Sequence, residues 1–123
     1  MNRDRKIYIA DDSTVTRMFI INIIKNIENI KISEFANGEE VLLAIENETP
    51  DLLILDSVMP VMDGLNVLRR LKELNLNFPI LFCTADIQIT TKEKAMQLGI
   101  NEFINKPIQK EIILDKVLSI LKS

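Results

Sequence analysis

The sequence predicts an α/β domain in which five parallel strands alternate with five helices. Three observations predict it. Short unbroken apolar runs, such as residues 52–55 (Leu-Leu-Ile-Leu), have the length and branching of strands buried on both faces. Longer stretches between them carry apolar residues at helical spacing. The segments that join the two are short, and strict alternation with short loops implies parallel strands and right-handed crossovers.

Taken in order, residues 6–10 (Lys-Ile-Tyr-Ile-Ala) form a first strand that ends on Asp11 and Asp12. Ser13 can cap the next helix by accepting a backbone N–H. That helix is expected over residues 14–29, with Val15, Met18, Phe19, Ile23 and Ile27 facing inward and Ile20, Ile21 and Ile24 widening the stripe. Residues 31–35 alternate and read as an edge strand. Asn37-Gly38 is a turn, and residues 39–47 are helical with Val41, Leu42 and Ile45 inward. Pro50 ends that unit.

The central strand, residues 52–55, ends on Asp56. Pro60 has no N–H for a ladder, so the strand cannot continue, and Asp63-Gly64 opens a helix over residues 64–74 with Leu65, Leu68, Leu71 and Leu74 inward. Residues 79–83 are a fourth strand, which runs into Thr84. Thr90 with Glu93 forms a capping box for a helix that stops at Gly99, a natural left-handed cap. Residues 101–104 are a last short strand followed by Asn105-Lys106-Pro107. Residues 108–121 are the final amphipathic helix, with Ile112, Ile113, Val117, Leu118, Ile120 and Leu121 on its apolar side.

Composition narrows the classes of function. The 123 residues are about one domain, and nearly half are apolar, so the chain can build a core. The expectation is a single domain over residues 1–123 with no effector domain. Fifteen basic against 18 acidic side chains, a net charge of −3, give no electrostatic case for nucleic acid. One cysteine rules out an internal disulfide and a multi-cysteine zinc site. With no histidine at all, no Ser-His or Cys-His pair exists. Neither a signal peptide nor a membrane span is read, and a cytoplasmic setting is expected.

The informative residues stand at strand ends. In a parallel sheet those ends share one rim, the edge where open α/β sheets bind ligands. Asp11, Asp12, Asp56, Thr84 and Lys106 therefore converge there, although the sequence scatters them. Three gathered carboxylates repel: two unit charges at 4 Å oppose each other by about 4 kcal/mol at an effective dielectric of 20. A hard divalent cation resolves that cluster, and carboxylates without thiolate or imidazole suit magnesium. Taken singly, each residue has a plainer reading. Asp11 and Asp12 are favourable near a helix start, Lys106 is a solvated lysine, Thr84 and Phe103 are structural, and Cys83 is a core thiol.

The set Asp-Asp, Leu-Asp-Ser-Val-Met-Pro-x-Met-Asp-Gly, Cys-Thr-Ala and Asn-Lys-Pro, in that order and at strand ends, resembles the response-regulator receiver domains of the CheY type. The likeness runs from Lys6 to the final helix. It implies a flavodoxin-like, doubly wound (βα)5 sheet of strand order 2-1-3-4-5. It also implies a phosphoacceptor switch of a two-component or phosphorelay system. By residue, it makes Asp56 the acceptor of a phosphoryl group from a phosphohistidine. Asp12, Asp56 and the backbone carbonyl of Val58 become direct ligands of Mg2+, with Asp11 acting mainly through water. Thr84 and Lys106 contact the phosphoryl group, and the Lys106–Pro107 bond is cis. Phe103 takes the place of an aromatic switch that is commonly tyrosine. The implied partners are a sensor histidine kinase or histidine phosphotransfer protein and a downstream protein target that meets the fourth helix, fifth strand and fifth helix. The domain would catalyse its own phosphorylation and slow hydrolysis without being a turnover enzyme. Ser57, Val58 and Asp86 flank the site and would tune phosphoryl lifetime. Arg17 and Met18 could meet a kinase helix pair, although surface and core roles serve them as well.

Three other classes share parts of this pattern. A flavin binder would need a hydroxyl- and amide-rich phosphate loop where Asp11 and Asp12 stand. A haloacid-dehalogenase-type phosphatase would need a second acid two residues after Asp56, where Val58 stands. A receiver-shaped interaction module that never carries phosphate is the remaining alternative, and phosphorylation itself discriminates it.

Overall fold

The computed structural model describes residues 3–86 and 88–122. Five strands, β1 (Arg5–Ala10), β2 (Ile30–Phe35), β3 (Leu52–Asp56), β4 (Ile80–Thr84) and β5 (Glu102–Asn105), form one sheet of order β2-β1-β3-β4-β5. All four neighbouring pairs are parallel. The helices α1 (Thr14–Ile24), α2 (Gly38–Asn47), α3 (Gly64–Glu73), α4 (Ile89–Gln97) and α5 (Lys110–Lys122) alternate with them. This is the flavodoxin-like architecture.

Period-two alternation along the strands divides the core in two. Leu53, Leu55 and Phe82 turn to the face covered by α2, α3 and α4. Leu52, Ile54, Leu81 and Cys83 turn to the face covered by α1 and α5, where Ile20, Ile24, Ile113 and Val117 are buried. Every residue of β3 and β4 is buried, as strands sandwiched on both faces require.

Local chemistry accounts for most helix starts. The Ser13 side chain accepts from the Thr16 N–H, Asn37 from Glu40 and Asp63 from Asn66. Asn37 is thus the N-cap of α2, not simply part of a turn. Gly99 has φ +94°, the left-handed conformation expected of it.

Three expectations are corrected. The first helix ends at Ile24, five residues short of Asn29, which itself has φ 60°. Ile27 still packs against the second core, but from the turn after the helix. Val15, Met18 and Phe19, expected inward, are 77%, 56% and 44% exposed. They lie in the first turns of α1, beside the rim and not over the sheet face. Finally, Thr90 does not cap α4. The helix begins at Ile89, and its N-cap, Gln88, makes no side-chain bond. Asp86 organises that turn instead, accepting from the Gln88 N–H at 2.9 Å and the Thr91 hydroxyl at 2.6 Å.

Candidate functional site

The carboxyl edge of the sheet brings Asp11, Asp12, Asp56 and Lys106 together. Asp11 follows the last residue of β1, and Asp56 is the last residue of β3, the strand beside it. One carboxylate oxygen from each of Asp11, Asp12 and Asp56 lies within 4.8 Å of the others. Asp11 and Asp56 are buried, whereas Asp12 is exposed. Lys106 reaches back from the end of β5, its Nζ 2.9 Å from Asp56 Oδ1 and 3.2 Å from Asp11 Oδ2. The Lys106–Pro107 peptide bond is cis.

Backbone and side-chain bonds hold Asp11 and the loop that follows Asp56. Asp11 Oδ1 accepts the Ser13 N–H at 2.8 Å, and the Arg17 guanidinium donates to the Asp11 carbonyl. The Val58 backbone also bears on the site, favouring the charged form of the Asp56 carboxylate. The Ser57 N–H donates to the Cys83 carbonyl and the Gly64 N–H to the Ser57 carbonyl, both at 2.9 Å. These two bonds fix the loop that leaves Asp56. A methyl group on Gly64 would lie 2.4 Å from the Asp56 carbonyl oxygen, so only glycine allows α3 to start this close.

Charge at the rim is unbalanced: three carboxylates gather there, and the Lys106 ammonium pairs with Asp11 and Asp56. Burial is the largest influence on the Asp56 carboxyl and pushes it above its ordinary value. The Lys106 hydrogen bond opposes that push, and the Asp11 charge adds to it. Burial pulls the Lys106 ammonium down, but the hydrogen bond and charge of Asp56, with those of Asp11, outweigh it and leave Lys106 above its ordinary value. The residual negative charge and the all-oxygen donor set fit a hard divalent cation. Cys83 lies just beneath, and burial pushes its thiol up to about 12, which keeps it an inert core group.

Thr84 is fully buried one residue beyond the β4 partner of Asp56. Its Oγ accepts from the Ser57 hydroxyl and from the Asp86 N–H, each at 3.0 Å. Phe103, half-buried on β5, meets Phe82 edge to face at 6.3 Å between ring centroids. Lys92 of α4 stands 5.6 Å over the Phe103 ring. Sequence reasoning did not foresee the Lys92 contact, the Arg17 anchor or the Ser57–Thr84 bond. The Ser57 hydroxyl was legible as a flanking group, but only the register of β3 on β4 gives it a partner.

Comparison with known proteins gives one family. The family profile described as "Response regulator receiver domain" matches residues 7–118. The chemotaxis protein CheY of Bacillus subtilis is 31% identical over 112 residues, which cover 91% of this chain and 93% of CheY. The alkaline phosphatase synthesis transcriptional regulatory protein PhoP of the same organism is 30% identical over 120 residues, covering 97% of this chain but 49% of PhoP. The chain thus spans about half the length of that regulator. Among solved structures, Vibrio cholerae chemotaxis protein CheY4 superposes with a TM-score of 0.85 at 23% identity, covering 95% of this chain and 98% of CheY4, and so shares the fold. Matched by the family profile over most of its length and by CheY over nearly all of it, with the acidic rim described above, this chain belongs to the response-regulator receiver domains of two-component signalling.

Proposed function

We propose that this receiver, a single domain over residues 1–123, is a phosphoacceptor switch with Asp56 as its nucleophile. The observation that carries the reading is the unbalanced rim: three carboxylates lie within 4.8 Å of one another, and Lys106 pairs with two of them, Asp11 and Asp56. No stability argument favours that arrangement. A site that takes up a cation and then a phosphoryl group makes use of it.

In the reaction, a carboxylate oxygen of Asp56 attacks the phosphorus of a phosphohistidine on a sensor kinase or a phosphotransfer protein. The P–N bond breaks, and its electron pair leaves with the imidazole. No general base is needed, because the attacking group is a carboxylate. Lys106, already 2.9 Å from Asp56, neutralises the incoming phosphoryl oxygens. The Thr84 hydroxyl adds a donor once it turns toward them. Asp12, Asp56 and the Val58 carbonyl would hold Mg2+ directly and Asp11 through water; the ion supplies further charge neutralisation on those oxygens. Water attack on the acyl phosphate resets the switch.

The first turns of α1 suit the donor. Val15 and Phe19 are exposed and line a pocket of about 310 Å³ with Pro107 and Ile108, next to Lys106. An apolar helix face that carries the phosphohistidine can seat there and aim it at Asp56. The output passes through Thr84 and Phe103 to α4, β5 and α5, where a downstream protein binds. Phe103 has no hydroxyl, so burial of its ring is the whole of its signal. The proposed setting is the cytoplasm, shared with the kinase or phosphotransfer protein that donates; among the described residues no helix is long and apolar enough to cross a membrane.

The test is intact-protein mass spectrometry after incubation with acetyl phosphate and magnesium. Wild type is expected to gain one phosphoryl group, and Asp56→Ala none. An unmodified wild-type mass would overturn the reading in favour of a receiver-shaped interaction module.

A further inference from the structure

Ser57 directly follows Asp56, and the β3–β4 register, with Asp56 opposite Cys83, sets it beside Thr84. Its backbone has no freedom to drift, because the N–H is bound to the Cys83 carbonyl and the carbonyl to the Gly64 N–H. From this fixed position its hydroxyl donates to Thr84 Oγ at 3.0 Å. The Asp86 N–H donates to the same oxygen at 3.0 Å. A hydroxyl oxygen has two acceptor sites, so both are engaged. Thr84, with no exposed surface, is therefore pinned at two points and is not a free rotor.

We propose that Ser57 is a positioning residue for the switch: its hydroxyl latches Thr84 in the resting orientation and must release it before Thr84 can serve a phosphoryl group on Asp56. The proposal rests on the reading of Asp56 as acceptor and Thr84 as its donor. It adds the group against which that movement works. Ser57 is half-buried, so water can satisfy its hydroxyl after release. The latch is then worth one neutral hydrogen bond net of water, which corresponds to about fivefold in the switching equilibrium.

Trifluoroberyllate, a phosphoryl mimic, reads that equilibrium by titration in the presence of magnesium. Ser57→Ala is expected to bind it about fivefold more tightly than wild type, the factor set by one such bond. Ser57→Thr keeps the hydroxyl and should restore wild-type affinity. In a Thr84→Val background, Ser57→Ala should change nothing, since the bond is already gone. A second readout needs no mimic: the Thr84 methyl and Asp86 amide resonances of free Ser57→Ala should move toward their positions in the bound state. Unchanged or weaker binding by Ser57→Ala, with wild type binding normally, would overturn the latch alone. Failure of wild type to bind trifluoroberyllate would overturn the assignment of the site beneath it.

Discussion

At the edge where the strands begin, acids and bases come in pairs; at the edge where they end, three acids gather and Lys106 pairs with two of them. Just before β3, Asp51 takes a two-pronged bond from Arg3 at 2.7 and 2.9 Å and a third from the Lys6 N–H at 2.7 Å. Lys6 in turn pairs with Glu48. The Arg3 hydrogen bond holds the Asp51 carboxyl below its ordinary value, and the Lys6 bond does the same for Glu48. Opposite them, burial pushes Asp56 up. One edge is steadied by its charges, and the other is kept in place despite them. The difference teaches where to look for function in a sheet whose two edges are built from the same residue types: charges that the fold does not need are there for something else.

The largest effect expected from breaking this contrast is steric. Gly64→Ala would drive a methyl into the Asp56 carbonyl oxygen, the Phe82 ring and the Ser57 Cα, at 2.4, 2.8 and 2.9 Å. Overpacking of that kind costs about 3 kcal/mol, which a urea melt would register.

Charge removal should have opposite signs at the two edges. Without magnesium, Asp56→Asn relieves repulsion at the crowded rim while Lys106 keeps Asp11 as partner. A stability gain of about 1 kcal/mol is expected on that account. Magnesium at ten times its dissociation constant should raise wild-type stability by about 1.4 kcal/mol and raise the variant less. A loss of stability in magnesium-free Asp56→Asn would end the contrast.

At the other edge Asp51→Asn weakens a paired carboxylate and should lose about 1 kcal/mol at neutral pH. The folded carboxyl titrates below its ordinary 3.8, so its contribution is present above that value and is lost as pH falls through the folded one. Thermal melts of Asp51→Asn and wild type should therefore converge in acid. A difference that persists there would mean that shape, not charge, holds this edge.

The strands were the most legible part of the fold. The buried runs of β3 and β4 carry their own signal, being apolar throughout and bounded by Pro and Asp. Convergence of Asp11, Asp12, Asp56 and Lys106 follows from parallel topology alone. What the sequence withheld was how far each helix overlaps the sheet. Val15, Met18 and Phe19 have core spacing, but periodicity reports a stripe and not what lies opposite it. The stripe on α1 begins at the rim, where there is no sheet left to cover. The start of α4 departs from its sequence pattern for a related reason. Thr90 and Glu93 have the right spacing for a capping box, but Asp86 already binds the Gln88 N–H and the Thr91 hydroxyl. Partners contributed from across the sheet, such as Thr84 for Ser57, depend on register, which no local pattern encodes.

The mooring of α4 has a consequence of its own. Where α3 starts on an aspartate cap and sinks four residues into the core, α4 has no side-chain cap and buries Ala95 alone. Its amides should be among the first to exchange with deuterium, because little must be broken to lift them. A message sent from the rim need not deform the barrier strands of the sheet. It has only to nudge the most lightly tethered wall of the building, the one that already leans on Phe103 through Lys92.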